Sequence, residues 1–391
     1  MISSWPSYDD EQIEAVNKVL INGKVNYWTG SETSNFEKEY CNWTNSKYAV
    51  ALSNGSLALT AAYTALGIGP GDEIITTPRT FIATTSCFVL LGAKPVFADV
   101  NRNSGLITVD TIEPLINNKT KAIVVVHLAG WPANMVEICK LAKKYNIKVV
   151  EDCSQAHGAK ILVDDKYCSV GTFGDISTWS FCQDKIISTG GEGGIITTNE
   201  KKIWEKVWSF KDHGKSYYNV FSKKHPTGYR WLHDNFGTNF RLTEMQSAIG
   251  RIQLKKVDSW HKIRVRNAMI IKDKLSKLKL VRIPMPTQSY IHAWYKFYVY
   301  LDNSFLKNGW DRNRIIEEIN KRKYPAFHGG CGEIYLEKCF QDSGLAPKKR
   351  LPIAKDLSEN SIMFLVHPTI KLEEINSYAE VIKEVLEMAQ K

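Results

Sequence analysis

Nowhere does the chain offer the ~20 consecutive apolar residues that a membrane span requires. Its longest uncharged run, Tyr48 to Gly71, is broken by Ser53-Asn54-Gly55-Ser56 and closed by Gly67, Gly69 and Pro70. No membrane association is expected. The opening residues Met1–Asp10 lack the basic flank and apolar core of a signal peptide, so a cytoplasmic protein is expected. Cysteine is sparse. Cys41, Cys87, Cys139, Cys153, Cys168, Cys182, Cys331 and Cys339 are scattered without a CxxC pair, which argues against a zinc site or a disulfide framework. Reduced, mostly buried thiols and no metal are the expectation. The chain also lacks a Gly-Lys-Ser/Thr to close its glycine run, so it has no P-loop, and it has no internal repeat or low-complexity tract.

What remains is a globular composition. The 391 residues are 43% hydrophobic and 24% charged, enough for two or three domains with a sizeable core. Lys and Arg exceed Asp and Glu by 51 to 41, a net charge of +10 that favours anionic ligands. The basic residues are dispersed in short runs such as Lys143-Lys144 and Lys348-Lys349-Arg350. Such runs read as solvated faces, so no nucleic-acid partner is expected.

The first two thirds alternate β-branched runs with helical patterns, the pattern of an α/β domain with helices covering a parallel sheet. Strands are predicted at Tyr48–Leu52, Glu73–Thr77, Pro95–Val100, Ala122–His127, Lys148–Glu151, Ile176–Phe181 and Gly194–Thr198. Helices are predicted between them, among others at Ser56–Leu66, Thr80–Leu91 and Met135–Tyr145. From Leu242, apolar residues at three- and four-residue spacing predict a long amphipathic helix leaving the large domain. Beyond it, a strand at His292–Leu301, a helix at Asp311–Lys321, a strand at Ser361–Val366 and a helix at Leu372–Met388 predict a smaller α+β domain. The expected division is 1–255 and 256–391.

In open α/β sheets the binding crevice lies at the carboxyl ends of the strands, and four segments there carry candidate chemistry. At Ser53-Asn54-Gly55-Ser56, backbone N–H groups and a hydroxyl at a helix start suit a phosphate, although a plain helix cap is the competing reading. At Glu151-Asp152-Cys153-Ser154-Gln155, Asp152 suits a cationic nitrogen and Gln155 a neighbouring oxygen, unless Asp152 caps a helix. In Ser180-Phe181-Cys182-Gln183-Asp184-Lys185, followed by Gly190–Gly194, Lys185 lies beside apolar strands where desolvation would lower its pKa for Schiff-base chemistry, unless it is one more lysine beside a glycine turn. Thr80-Phe81 offers an aromatic face to a flat heterocycle, unless Phe81 is a core residue. One cofactor needs all four features: pyridoxal 5′-phosphate, with its phosphate, flat ring, ring nitrogen and aldehyde.

The order of these fragments, together with Asn26-Tyr27-Trp28-Thr29-Gly30 and Thr238-Asn239-Phe240-Arg241-Leu242-Thr243-Glu244-Met245-Gln246, resembles the DegT/DnrJ/StrS family of sugar aminotransferases over almost the whole chain. The resemblance implies a pyridoxal-phosphate transferase fold of type I, aspartate aminotransferase-like. Its large domain has a mixed, mostly parallel sheet and an N-terminal arm, and its small C-terminal domain is α+β. It further implies that Lys185 carries the cofactor, Asp152 pairs with the ring nitrogen, Gln155 reaches the ring hydroxyl and Phe81 stacks on the ring. Gly55, Ser56 and Ser180 would hold the phosphate, joined by Asn239 from the neighbouring subunit, so a homodimer with shared active sites is implied. His328, in Pro325-Ala326-Phe327-His328, resembles the substrate-side histidine of the family.

The chain departs from the family pattern twice: Asn54-Gly55-Ser56 replaces a Ser-Ala/Gly-Thr phosphate segment, and Ile161–Cys168 replaces a short turn. Lysine rather than histidine at position 185 implies transamination rather than dehydration. The segments around Lys185, Lys24–Gly30 and Trp231-Leu232-His233 most resemble the branch that aminates UDP-2-acetamido-2,6-dideoxy-4-keto-glucose toward bacillosamine, with L-glutamate as donor. The rival is amination at the 3-position of a dTDP-linked keto-sugar. A regulator that has lost turnover is disfavoured by intact Lys185 and Asp152 and by the lack of an appended helix-turn-helix.

Overall fold

The computed structural model of the chain describes residues 2–330 and 332–391; Cys331 lies outside them. Its strands in chain order are β1 Tyr48–Leu52, β2 Glu73–Thr76, β3 Lys94–Phe97, β4 Thr120–Val126, β5 Lys148–Asp152, β6 Lys160–Val163, β7 Lys166–Ser169, β8 Ile176–Ser180 and β9 Gly194–Thr198. They continue with β10 Val281–Arg282, β11 Tyr290–Ile291, β12 Phe297–Leu301, β13 Ala326–Phe327 and β14 Ser361–Phe364. The seven large-domain strands predicted from the sequence are all present, with only their ends displaced.

Those seven strands form one sheet in the order β1-β9-β8-β5-β4-β2-β3. The β8-β5-β4-β2-β3 pairings are parallel, and only β9, paired antiparallel to β1 and β8, runs against the rest. Strand β4 shows why the sheet is buried on both sides. Ile123 and Val125 enter one apolar cluster and Ala122 and Val124 another, as the two-residue period of a strand demands.

The helix predicted at Thr80–Leu91 begins only at Ala83 and ends at Val89. Thr77 Oγ1 accepts the Arg79 N–H at 3.0 Å, a local turn that keeps Thr80 and Phe81 out of the helix. The Ile161–Cys168 departure is a hairpin of β6 and β7 that turns on Asp164 and Asp165, at φ 46 and 61. Aspartate tolerates this left-handed pair, and β11 extends the hairpin to a three-stranded sheet. The strand predicted at His292–Leu301 is cut to β12 because Trp294, at φ 50, breaks the extended run.

The helix Glu244–Leu275 starts with a capping box in which Thr243 Oγ1 accepts the Gln246 N–H. Leu254 and Val257 pack into the core around the large sheet, whereas Ala268, Ile271 and Leu275 pack with β12, β14 and the helix Leu372–Ala389. The division at 255/256 therefore falls inside one continuous helix. The N-terminal segment crosses back, with the Ser3 hydroxyl on the Glu374 carboxylate at 2.9 Å.

The seven described cysteines are unpaired thiols. Fewer are buried than expected: Cys87 and Cys153 are buried, Cys339 is exposed, and the others are half-buried on helix flanks, the hairpin or a loop. Among the described residues no helix is long and apolar enough to cross a membrane.

Candidate active site

The carboxyl ends of β1, β4, β5 and β8 open into a cavity of ≈ 500 Å³. Gly55, Ser56, Phe81, Asp152, Gln155, Ser180 and Lys185 all line it. Asn239 and His328 do not; both are exposed on this chain.

The floor is built by close backbone approach. Asn54 caps the helix Gly55–Ala65, its Oδ1 accepting the Leu57 N–H at 2.9 Å, so the cap reading and the cavity reading hold together. A Cβ at Gly55 would come within 2.7 Å of Ser180 Cβ, and one at Gly194 within 2.5 Å of the Asn54 carbonyl oxygen. Two glycines therefore press the helix start against β8 and β9. The result is a helix N-terminus aimed at the cavity, an arrangement suited to an anion.

Asp152 ends β5 at 5% exposure. The Thr84 hydroxyl donates to its Oδ2 at 2.7 Å and the Ser154 N–H to its Oδ1 at 3.1 Å. No helix follows, so Asp152 makes a local turn rather than a helix cap. Its neighbour Glu151 does different work: it accepts from His127 and from the Gly171, Phe173 and Gly174 N–H groups. Glu151 lies in a buried group with His127 and Cys153, and these bonds employ it in pinning the 171–174 loop.

Gln155 Oε1 accepts the Ala129 N–H at 2.8 Å, which leaves the Gln155 amide nitrogen as the donor facing the cavity. Phe81 is 67% exposed and lines the wall, so it is not a core phenylalanine. The side chain of Lys185 is 15% exposed. Its Nζ lies 3.5 Å from the Tyr295 hydroxyl and 3.6 Å from the Asp184 carboxylate, to which Tyr295 also donates. Burial raises Asp184, but the Lys185 charge and the Tyr295 hydrogen bond outweigh it and hold the group below the usual carboxylate range. Trp5 Nε1 donates to the Lys185 carbonyl at 2.8 Å.

Sequence reasoning gave no role to Tyr295, Asp184, Thr84 or Trp5. Asp184 adjoins Lys185 and could have been flagged, whereas Tyr295 and Trp5 approach only through folding. The family segments Asn26–Gly30 and Thr238–Gln246 meet beside the cavity without lining it, and Gln246 reaches its edge by donating to the Glu192 carbonyl at 2.8 Å. There the Glu244 carboxylate accepts the Thr33 N–H at 3.2 Å at the start of the helix Glu32–Thr44, and a Cβ at Gly30 would strike it.

These residues fit pyridoxal 5′-phosphate: an anion cradle too tight for a Cβ, an aromatic wall, a buried carboxylate and a largely buried amine. The donor set contains each complement that the cofactor presents.

Residues 6–384 match the DegT/DnrJ/EryC1/StrS aminotransferase family. The chain is 33% identical over 383 residues to GDP-perosamine synthase of Escherichia coli O157:H7, covering 97% of this chain and 96% of that protein. It is 31% identical to the UDP-N-acetyl-3-dehydro-alpha-D-glucosamine 3-aminotransferase of Acidithiobacillus ferrooxidans, over 96% and 94% of the two chains. The crystallised aminotransferase of Psychrobacter cryohalolentis superposes with a TM-score of 0.97 at 49% identity, covering 100% of both chains.

Proposed function

Because the chain belongs to the DegT/DnrJ/EryC1/StrS aminotransferase family, we propose that it moves an amino group from L-glutamate to a nucleotide-linked keto-deoxysugar. It is a sugar aminotransferase of the type I fold and uses pyridoxal 5′-phosphate. The observation that carries the reading is the convergence of Lys185, Asp152, Phe81, Gln155 and the Gly55 helix start on one cavity. At ≈ 500 Å³ it is larger than a phosphate alone needs and lies within the range of small-molecule sites.

When bound, the cofactor supplies an electron sink that lets a proton leave the carbon bearing the amine. Asp152, its orientation fixed by Thr84 and Ser154, would hold positive charge at the ring nitrogen. Gly55, Ser56 and Ser180, which line the cavity with Gln155 and Phe81, would hold the phosphate, Gln155 would donate to the ring oxygen and Phe81 would lie against the ring. Lys185 would anchor the cofactor, and its amine would serve as the base for proton transfer. Tyr295 and Asp184 hold its amine at the cavity, 3.5 and 3.6 Å from Nζ.

The sugar we favour is UDP-2-acetamido-2,6-dideoxy-4-keto-glucose, aminated at the 4-position toward bacillosamine. This rests on the likeness of the Lys185, Lys24–Gly30 and Trp231-Leu232-His233 segments to that branch. Amination of a dTDP-linked keto-sugar at the 3-position is the alternative. The test is the absorption band of bound cofactor: L-glutamate should bleach it, and the UDP-4-keto-sugar should restore it while a 4-amino sugar appears by mass and NMR. Bleaching that only a dTDP-linked 3-keto-sugar reverses would transfer the assignment to the alternative.

A homodimer is part of this reading. Tyr218, Phe221, Tyr229, Trp231 and Phe236 are all exposed on the segment leading to Asn239, an apolar surface that a second copy would cover. His328 would then face the sugar. Mixing Asn239→Ala and Lys185→Ala chains tests the sharing of sites. The hybrid holds one undamaged site, so turnover should rise above either parent; no rise after demonstrated subunit exchange would reject a shared site. The unpaired thiols support a reducing, cytoplasmic location.

A further inference from the structure

Asn239 stands on a short segment, residues 238–241, that its own chain holds on two sides. On one side is the end of the helix Lys201–Lys211. There the Thr238 N–H donates to the Phe210 carbonyl at 2.9 Å, the Phe240 N–H donates to the Lys211 carbonyl at 3.0 Å, and Asn239 is paired antiparallel with Asp212. On the other side is the end of β1, where the Ser53 N–H donates to the Phe240 carbonyl at 3.0 Å and Leu52 is paired with Arg241. Ser53 directly precedes the Asn54-Gly55 helix start.

Side chains along the segment alternate, as paired extended backbone requires. Phe240 packs on the Phe210 ring with 5.5 Å between centroids, whereas Asn239 is exposed. The Asn239 amide is oriented, because its Oδ1 accepts the Arg241 N–H at 3.3 Å and leaves the amide nitrogen as the free donor. A phosphate oxygen is a fitting acceptor for that nitrogen.

Beside Asn239 lies a charge pair. Arg241 Nη1 donates to Asp212 Oδ1 at 2.8 Å, and Lys215 Nζ donates to the same oxygen at 3.0 Å. The Asp212 side chain is 0% exposed and that of Arg241 15%. Taking such a pair out of water costs free energy that its attraction scarcely offsets, so it is a weak source of stability and better suited to fixing one register. Register matters here, since a slip of one residue would turn Asn239 inward and Phe240 outward.

We propose that Asp212, acting through Arg241, is the positioning residue that presents Asn239 to the cofactor phosphate of the neighbouring subunit, an inference that rests on the shared-site homodimer proposed above. A wholly buried group of one chain then governs cofactor binding in the other. Asp212 cannot reach a second chain itself, so its influence has to pass through the Asn239 segment. The competing route is local, through Ser53 to the Gly55 helix start of the same chain.

Hybrid dimers separate the two routes. Asp212→Ala breaks the pair from its buried side. Arg241→Met breaks it from the other side and carries the same test should a thermal melt show that Asp212→Ala does not fold. Affinity for pyridoxal 5′-phosphate is read from the absorption band of lysine-bound cofactor during titration. As a homodimer, each variant should bind the cofactor about tenfold more weakly than the wild type, the scale of one charge-assisted hydrogen bond. In a hybrid with a Lys185→Ala chain, the one lysine-bearing site lies on the variant chain and takes Asn239 from the Lys185→Ala chain, so its affinity should return to the wild-type value. Adding Asn239→Ala to either variant should weaken binding no further than Asn239→Ala alone, because both changes remove the same contact. Affinity that stays weak in the hybrid overturns the proposal in favour of the local route, and losses that add mark an independent structural role. Wild-type affinity in the homodimeric variants overturns it as well. If Asn239→Ala is restored in its own hybrid and Asp212→Ala is not, only this inference fails. If neither is restored after demonstrated subunit exchange, the shared site fails with it.

Discussion

Lys185→Ala should lower turnover by at least about a thousandfold, because proton transfer by a positioned side chain alone contributes about 10²–10⁴-fold and anchorage of the cofactor is lost as well. The truncation deletes the amine that stands 3.5 Å from the Tyr295 hydroxyl and 3.6 Å from Asp184. It leaves the fold intact in expectation, since the side chain reaches into the cavity rather than the core. Steady-state transamination, the visible absorption of cofactor-reconstituted protein and a thermal melt together provide the check. An unchanged melt with the absorption band and the turnover both lost is the expected pattern. Activity within tenfold of the wild type would remove Lys185 from its assigned role.

Asp152→Asn should lower turnover by about 10²–10³-fold while cofactor still binds, the scale seen when one preorganised electrostatic partner of the reacting centre is removed. The local geometry makes this substitution costly despite its equal size. Both carboxylate oxygens accept hydrogen bonds, from Thr84 and from the Ser154 N–H, and an amide offers only one oxygen. Its nitrogen must face a donor, so a stability loss of about 1–3 kcal/mol should accompany the loss of rate. Rate and denaturation midpoint are measured on the same preparation. A wild-type rate with a lowered midpoint would make Asp152 a structural residue only.

The strands that carry the site were legible in the sequence because they are buried on both faces and must be apolar. Val149 and Val150 before Asp152 leave little doubt about β5, and Asn54-Gly55 announces a helix start. Lys185 was legible only in combination with the other segments and through the resemblance to the family, since a lysine beside a glycine turn is by itself one of many. Short elements were not: the β6–β7 hairpin turns on two aspartates with no glycine, and the 77–81 turn depends on a threonine side chain. Phe81 could not be assigned to core or cavity from its neighbours alone, because both environments accept a phenylalanine.

Lys185, Tyr295 and Trp5 illustrate where sequence stops. They lie far apart in the chain, and no periodicity connects them, yet the Tyr295 hydroxyl and the Trp5 indole both contact Lys185. The same holds for Arg264, an ordinary basic residue among 51 until folding buries it and leaves Nε and Nη2 without a partner among the described residues. Sequence by itself determined the class of sheet and the order of the segments that line the cavity, because hydrophobic burial and local backbone conformation are written within short stretches. Tertiary structure alone decided which distant side chains share the cavity and where charge is left uncompensated, because those depend on desolvation and on distances that only the folded chain brings about.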